Sequence, residues 1–246
     1  LTIGIGYFIL LIQSITKRET KGGIFMYDSD VFKTKEGDLK ITFIGHGTLM
    51  FTFDNLVVHV DPVNMFGDYS GLPKADLILI THEHHDHLDT ALVEDLRKDG
   101  TVVIGNKAVA QQIAGCIAMK NGDENRAHGL RIEAVPAYNI QHMRSPGNPF
   151  HPPGVGNGYV ITFADLRVYV AGDTENIPEM ENIKDIDISF LPMNLPYTMT
   201  PEMVADAIRM FDPKIVYPYH FGDTDTSKLE ALLADVEVEV RIRDLQ

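Results

Sequence analysis

The sequence predicts a mixed α and β domain of two similar halves packed sheet against sheet, and three observations carry that prediction. From Leu39 onward, short strand-like runs alternate with longer amphipathic stretches, punctuated by Gly, Pro and Asn/Asp. A segment repeats: Thr52-Phe53-Asp54-Asn55-Leu56-Val57-Val58-His59-Val60 aligns without gaps on Thr162-Phe163-Ala164-Asp165-Leu166-Arg167-Val168-Tyr169-Val170. Thr, Phe, Leu and two Val residues are shared. Finally, 246 residues that are 44% hydrophobic and 23% charged can bury a sizeable core in one large domain.

The elements follow in chain order. Short runs rich in Ile, Val, Leu and Phe, bounded by turn residues, predict strands over 40–44, 49–53, 56–60, 77–81, 101–104, 130–135, 158–163, 167–171, 186–191, 214–217 and 238–242. Amphipathic stretches predict helices over 90–98, 107–118, 201–211 and 226–234. The third has the clearest start signal, with Thr200 at the cap and Pro201 as its first residue. Each copy of the repeat reads as a β-hairpin whose second strand runs into a turn carrying an acid, Asp61-Pro62 in one and Gly172-Asp173 in the other. Halves of this kind place helices on the outer faces and gather loops at one edge.

Several function classes are excluded or disfavoured by composition. A net charge of −14 repels a phosphate backbone, so no nucleic-acid partner is expected and the substrate is read as a small molecule. A single cysteine, Cys116, allows neither an internal disulfide nor a thiolate zinc site. The chain holds ten histidines, and imidazole with carboxylate is the ligand set of a hydrolytic metal centre. Neither a P-loop nor a Rossmann glycine pattern occurs, and no Ser-His-Asp or Cys-His arrangement competes.

The apolar run over 3–12 is too short to span the ~30 Å hydrocarbon core and has the length of a secretory h-region. It is read as a signal peptide or anchor, with 17–24 as a linker, so that residues 1–26 stand apart from a domain over 27–246. On that reading the protein is exported to the periplasm, with the cytoplasm as the alternative. Membrane contact follows only if the segment is an uncleaved anchor. Oligomeric state is not legible.

The chemistry is concentrated where strand 77–81 ends in His82-Glu83-His84-His85-Asp86-His87-Leu88-Asp89. His82 and His84 fall on one side of a tight loop, Asp86 and His87 on the other. One loop can thereby serve two metals ~3.5–4 Å apart.

With this string, the chain from Lys40 to Arg243 resembles the metallo-β-lactamase superfamily. The resemblance implies an αββα sandwich (α/β, α+β) of two similar halves with a two-metal site at one edge of the sheets. The cofactors it implies are two divalent cations, zinc in the first place, with Mn2+ or Fe2+ as alternatives. By position, His82 and His84 would bind the first metal and Asp86 and His87 the second. Asp173, in Ala171-Gly172-Asp173-Thr174, matches the bridging carboxylate, and His220, in Pro218-Tyr219-His220-Phe221, the last ligand of the second metal. The sequence departs from the family at the third histidine of the first metal, where Asn139 stands and an amide oxygen is a poor substitute for imidazole. His151, with Pro152 and Pro153 after it, is the preferred replacement and His142 the alternative.

The remaining candidates surround that set. Asp61 and Asp89 are expected to orient ligand imidazoles. His46 either borders the pocket or is structural, while His59, His85 and His128 are read as structural or surface residues. The long loop after Asn139 is a candidate lid, and its Arg144 either meets a substrate anion or is a solvated loop charge. Met193, Asn194, Tyr197 and Tyr219 fall on loops expected to face the metals.

The resemblance implies hydrolysis by a metal-bound hydroxide, with Asp86 as the catalytic residue that passes a proton to the leaving group. Within the superfamily the pattern is most similar to the branch of L-ascorbate-6-phosphate lactonase and the N-acylphosphatidylethanolamine phospholipase D type enzymes. The expected substrate is therefore a small ester, lactone or phosphodiester. A non-catalytic metal-binding module with a decayed site is the alternative, and a nucleic-acid-processing hydrolase is disfavoured by the charge.

Overall fold

The computed structural model describes residues 27–245. The apolar segment 3–12, the linker 17–24 and the expectation of export lie outside the described residues. Among the described residues no helix is long and apolar enough to cross a membrane.

Seven strands of the first half lie side by side in chain order: β1 (Ser29–Thr34), β2 (Gly37–Gly45), β3 (Thr48–Phe53), β4 (Leu56–Val60), β5 (Leu77–Leu79), β6 (Val102–Gly105) and β7 (Ile117–Ala118). The first four form an antiparallel meander and the last three add in parallel. Helices α1 (Thr90–Leu96) and α2 (Lys107–Ala110) connect the parallel strands. The second half repeats the plan with β8 (Glu124–Ala127), β9 (Leu130–Ala137), β12 (Gly156–Phe163), β13 (Leu166–Val170), β14 (Ile188–Pro192), β15 (Ile215–Tyr219) and β16 (Glu239–Val240). Here α3 (Pro201–Phe211) precedes β15 and α4 (Ser227–Leu232) follows it. A small hairpin, β10 (Met143–Ser145) and β11 (Asn148–Pro149), stands in the loop between β9 and β12.

The sequence repeat is a structural repeat. Leu49 pairs with Val60 and Phe53 with Leu56; at the same offset, Tyr159 pairs with Val170 and Phe163 with Leu166. Both turns carry a left-handed residue at the corresponding place, Asp54 and Ala164, each at φ 53. In each half the second hairpin strand then pairs in parallel with the next, Val58 opposite Leu77 and Val168 opposite Ile188.

Alternation along the strands separates two cores. Phe51, Val58, Val60, Leu77 and Leu79 join the large core that contains Ile161, Phe163, Val168 and Phe190 of the second sheet. Their neighbours Met50, Val57, Ile78 and Ile80 pack outward with Leu92, Val93, Leu96 and Val109 around α1 and α2. Because β5 is covered on both faces it reads as an unbroken apolar run. Aromatic rings bridge the sheets: Phe51 lies 5.6 Å from Phe163, and Phe43 5.2 Å from Tyr217, which stacks on Phe190 at 5.0 Å. On the outer face of the second sheet, α3 starts as expected, with Thr200 Oγ1 accepting from the Met203 N–H at 3.1 Å. It ends with Phe211 edge-on to Tyr169 at 5.5 Å.

Two readings are corrected. The helix expected over 107–118 ends at Ala110; Gly115 adopts a left-handed turn (φ 73) and 117–118 becomes the edge strand β7. Strand β1 was not expected, since its buried face carries Asp30 beside Phe32. That carboxylate is satisfied from the far end of the chain, by Arg243 Nη2 at 2.7 Å, Arg241 Nη1 at 3.3 Å and the Tyr217 hydroxyl.

His59, facing outward from β4, is fully buried, with Nε2 3.1 Å from the Pro73 carbonyl and its ring 5.8 Å from Tyr69. Burial pushes its pKa down to about 4. The unfolded chain therefore binds the extra proton between pH 6.5 and 4, and stability falls as the pH falls through that window. The full loss from this one group is about 3 kcal/mol. Urea unfolding at pH 7 and pH 4.5 checks it: His59→Gln is expected to narrow the gap between the two pH values relative to wild type.

Candidate metal centre

Except for His151, which lies in the long loop between β9 and β12, the ligand-type side chains follow strands at one edge of the two sheets. His82, His84, Asp86 and His87 lie in the loop after β5, Asp173 follows β13, and His220 follows β15. Backbone strain marks this edge: His46, Asp61 and His220 sit in left-handed conformations at φ 55, 45 and 47, each directly after a strand. Gly172 (φ 66) makes the turn before Asp173, where a Cβ would lie 2.8 Å from the Asn157 carbonyl oxygen.

Two clusters form. His82, His84 and His151 bring one ligand atom each to a common point, as do Asp86, His87 and His220, with His46 beside them. Asp173 stands between, one oxygen toward each group. Its Oδ2 lies 3.2 Å from His151 Nε2 and 3.9 Å from His82 Nε2. Its Oδ1 lies 3.3 Å from His87 Nε2 and 3.6 Å from His220 Nε2. Asp86 Oδ2 closes the second group at 3.6 Å from both His220 Nε2 and His46 Nε2.

A divalent cation fits these donors. Among the described residues, His87 Nε2, His220 Nε2 and Asp173 Oδ1 find no hydrogen-bond partner although buried, and they converge, an arrangement that is costly unless a cation satisfies it. The electrostatics agree. Burial, reinforced by His87, drives His82 well below its ordinary pKa. Burial would also lower His87, but Asp173 and Asp61 hold it well above. Burial would raise the Asp173 carboxyl, but the imidazoles of His220, His87 and His151 hold it far down. Adjacent imidazoles in conflict over one proton are what a bound cation replaces.

Supporting contacts orient the ligands. Asp61 accepts from Thr81 N at 2.7 Å and Thr81 Oγ1 at 2.6 Å, and its Oδ2 lies 2.8 Å from His87 Nδ1, which turns Nε2 toward the second group. Thr81 Oγ1 is also 3.1 Å from His82 Nδ1. Asp89 does not touch an imidazole; it caps α1 through the Leu92 N–H at 3.0 Å and bonds Asn64. His46 stacks on Phe66 at 4.1 Å and lies 3.7 Å from the His220 ring, at the pocket wall.

Asn139 and the two loop histidines separate cleanly. Asn139 Oδ1 accepts from His151 N at 2.8 Å and lies 2.7 Å from His151 Nδ1, so this amide aims His151 Nε2 at Asp173. His142 lies instead against Glu175, its Nδ1 2.7 Å from Oε1. Sequence reasoning missed Glu175 altogether. Fully buried, it accepts from the backbone N–H groups of Ile140, Gln141 and His142 at 2.7 Å each and from Asn139 Nδ2 at 3.1 Å. Burial would raise its carboxyl; the donors, Gln141 N–H and Asn139 first, hold it below its ordinary value. No local signal marks a buried glutamate whose partners lie on another loop.

Glu175→Gln turns an amide NH2 toward donors and loosens the segment carrying Asn139. The expected result is a ~10-fold or greater loss of affinity at the His82, His84 and His151 group, with the other group little changed. Titration with a competing chelator resolves the two.

Above the ligands opens a cleft of about 550 Å³ walled by Arg144, Phe150, Asn194 and Tyr197. Met193 is buried in the core, and Tyr219 is buried with its hydroxyl accepting from Gly172 N at 2.8 Å, so neither faces the cleft. His85 lies on the cleft rim, while His128 occupies the turn between β8 and β9.

The family model of the beta-lactamase superfamily domain matches residues 40–220. A UPF0173 metal-dependent hydrolase of Methanopyrus kandleri is 30% identical over 83% of this chain and 96% of its own. Among solved structures, a Parabacteroides distasonis protein described as a metal-dependent hydrolase is 51% identical, with TM-score 0.86 over 90% of this chain and 100% of that one. A metallo hydrolase of Ignicoccus hospitalis is 26% identical, with TM-score 0.69 over 84% and 95%.

Proposed function

The chain belongs to the beta-lactamase superfamily and, within it, to the UPF0173 metal-dependent hydrolases; on that premise we propose a two-metal hydrolase of a small ester, lactone or phosphodiester. The observation that carries this reading is Asp173, buried between two ligand groups with one oxygen toward each. His82, His84 and His151 would hold one cation and Asp86, His87 and His220 the other, with Asp173 shared. Zinc suits this imidazole-rich set, with manganese or iron as alternatives. When bound, a pair of divalent cations would acidify water toward pKa ~7 and polarise the carbonyl or phosphoryl oxygen of the substrate.

The protein's own groups supply the remainder. Asp61 and Asn139 fix the ring orientations of His87 and His151. Burial would raise the Asp86 carboxyl, but His220 and His46 hold it far below the ordinary range. At neutral pH it is thus a carboxylate on the cleft wall, in the state that suits a metal ligand; its role in passing a proton to the leaving group requires that bound cations draw His220 and His46 off its oxygens, which restores its proton affinity. The cleft admits a small molecule, and the net charge of −14 disfavours polynucleotides. Within this range, lactones and phosphodiesters are favoured by the sequence pattern's resemblance to the lactonase and phospholipase D type branch. Support for a working centre over a decayed one comes from Asn139, which holds His151 in place and so does not mark a lost ligand.

The test is turnover of bis(p-nitrophenyl) phosphate, p-nitrophenyl butyrate and a set of γ- and δ-lactones by metal-stripped and reloaded protein. Hydrolysis of at least one class, abolished by chelation and restored by metal, is expected. Absence of turnover on every class by fully loaded protein contradicts the proposal.

A further inference from the structure

Arg144 stands apart from the other described arginines. Arg97, Arg126, Arg131, Arg167, Arg209, Arg241 and Arg243 each lie within 4.0 Å of a carboxylate oxygen. Arg144, among the described residues, has no such partner, although the chain carries 35 acidic residues against 21 basic ones. Its guanidinium lies over the Phe150 ring, 5.2 Å from the centroid, on the wall of the cleft that contains His84, Asp86, His151 and Asp173.

The surroundings hold this cation in place. Phe150 meets Tyr197 edge-on at 5.1 Å, and the Tyr197 carbonyl accepts from Asn139 Nδ2 at 2.9 Å, the amide that also orients His151. Glu175 grips the backbone at residues 140–142, at the foot of the hairpin bearing Arg144. A planar guanidinium seated on an aromatic ring presents its free N–H edge to an oxyanion in bidentate fashion. On an acidic surface, a cation that has no carboxylate partner among the described residues and lies beside the candidate metal ligands is suited to an anionic part of the substrate.

Resting on the hydrolase reading above, we infer that the substrate carries a second anionic group, a carboxylate or phosphate, remote from the bond that is cleaved and held by Arg144. Arg144 is then a specificity-determining residue: it anchors the distal end while the scissile group lies at Asp173.

Binding, which needs no turnover, tests this. Zinc-loaded protein is titrated calorimetrically with succinate, glutarate and adipate and with the matching monocarboxylates butanoate, pentanoate and hexanoate. The best dicarboxylate is expected to bind about 10-fold or more tightly than its monocarboxylate partner. Arg144→Gln abolishes that advantage at unchanged metal content, and Arg144→Lys retains part of it. 3-Phosphonopropionate in place of succinate shows which oxyanion the site prefers. Equal binding of both series by wild type, or an advantage that survives in Arg144→Gln, overturns the inference. Failure of the hydrolase reading shows separately, as absent turnover in the ester and lactone assays.

Discussion

Asp173→Ala is expected to abolish hydrolysis, by about three orders of magnitude or more, and to remove metal from both groups at once. Among the described residues, only Asp173 directs one oxygen at His82 and His151 and the other at His87 and His220. Removing it also leaves four buried imidazoles without the carboxylate that balances them. Asp173→Asn separates the two effects. It keeps the shape and one acceptor oxygen but loses the charge, so affinity should fall steeply in one group and less in the other. Elemental analysis with a steady-state assay on the same preparations reads both.

Asp61→Ala should produce the largest loss of stability. Its fully buried carboxylate accepts the Thr81 backbone N–H and hydroxyl and meets His87 Nδ1 at 2.8 Å, all inside the site edge. Truncation strands these donors without water. The expected cost is about 3–5 kcal/mol in urea unfolding, together with a ~10–100-fold loss of metal affinity at the Asp86, His87 and His220 group. Asp61→Asn should be milder in stability, because asparagine tolerates the left-handed backbone (φ 45) that Asp61 occupies. It should still weaken that metal, since an amide cannot both accept from Thr81 and fully charge-assist His87. Unchanged affinity in both variants would show that Asp61 only supports the turn.

Much of this architecture was legible because its determinants are local. Strand Leu56–Val60 and helix Pro201–Phe211 occur at the residues expected, the first from its turn and period, the second from Thr200 and Pro201. The repeat around Thr52 and Thr162 foretold two hairpins in the same register. The ligand string His82 to His87 was legible as a constellation because four potential ligands within six residues have few other uses. What stayed hidden depends on contacts between distant segments. Asp30 gives β1 a charged inner face that makes sense only beside Arg241 and Arg243. Helix 107–118 kept its apolar spacing past Ala110, but Gly115 and the free edge of β6 drew the chain into β7. Of the two loop histidines the adjacent prolines favoured His151 over His142, but the contacts that separate them, Asn139 on one and Glu175 on the other, lie on distant segments.

Metal content per chain is the most direct test of the proposal that two cations share Asp173. Elemental analysis of protein saturated with zinc and freed of excess is predicted to give two per chain in wild type, falling toward one in His151→Ala and staying at two in His142→Ala. One metal or none in wild type, with neither substitution changing the value, would contradict it.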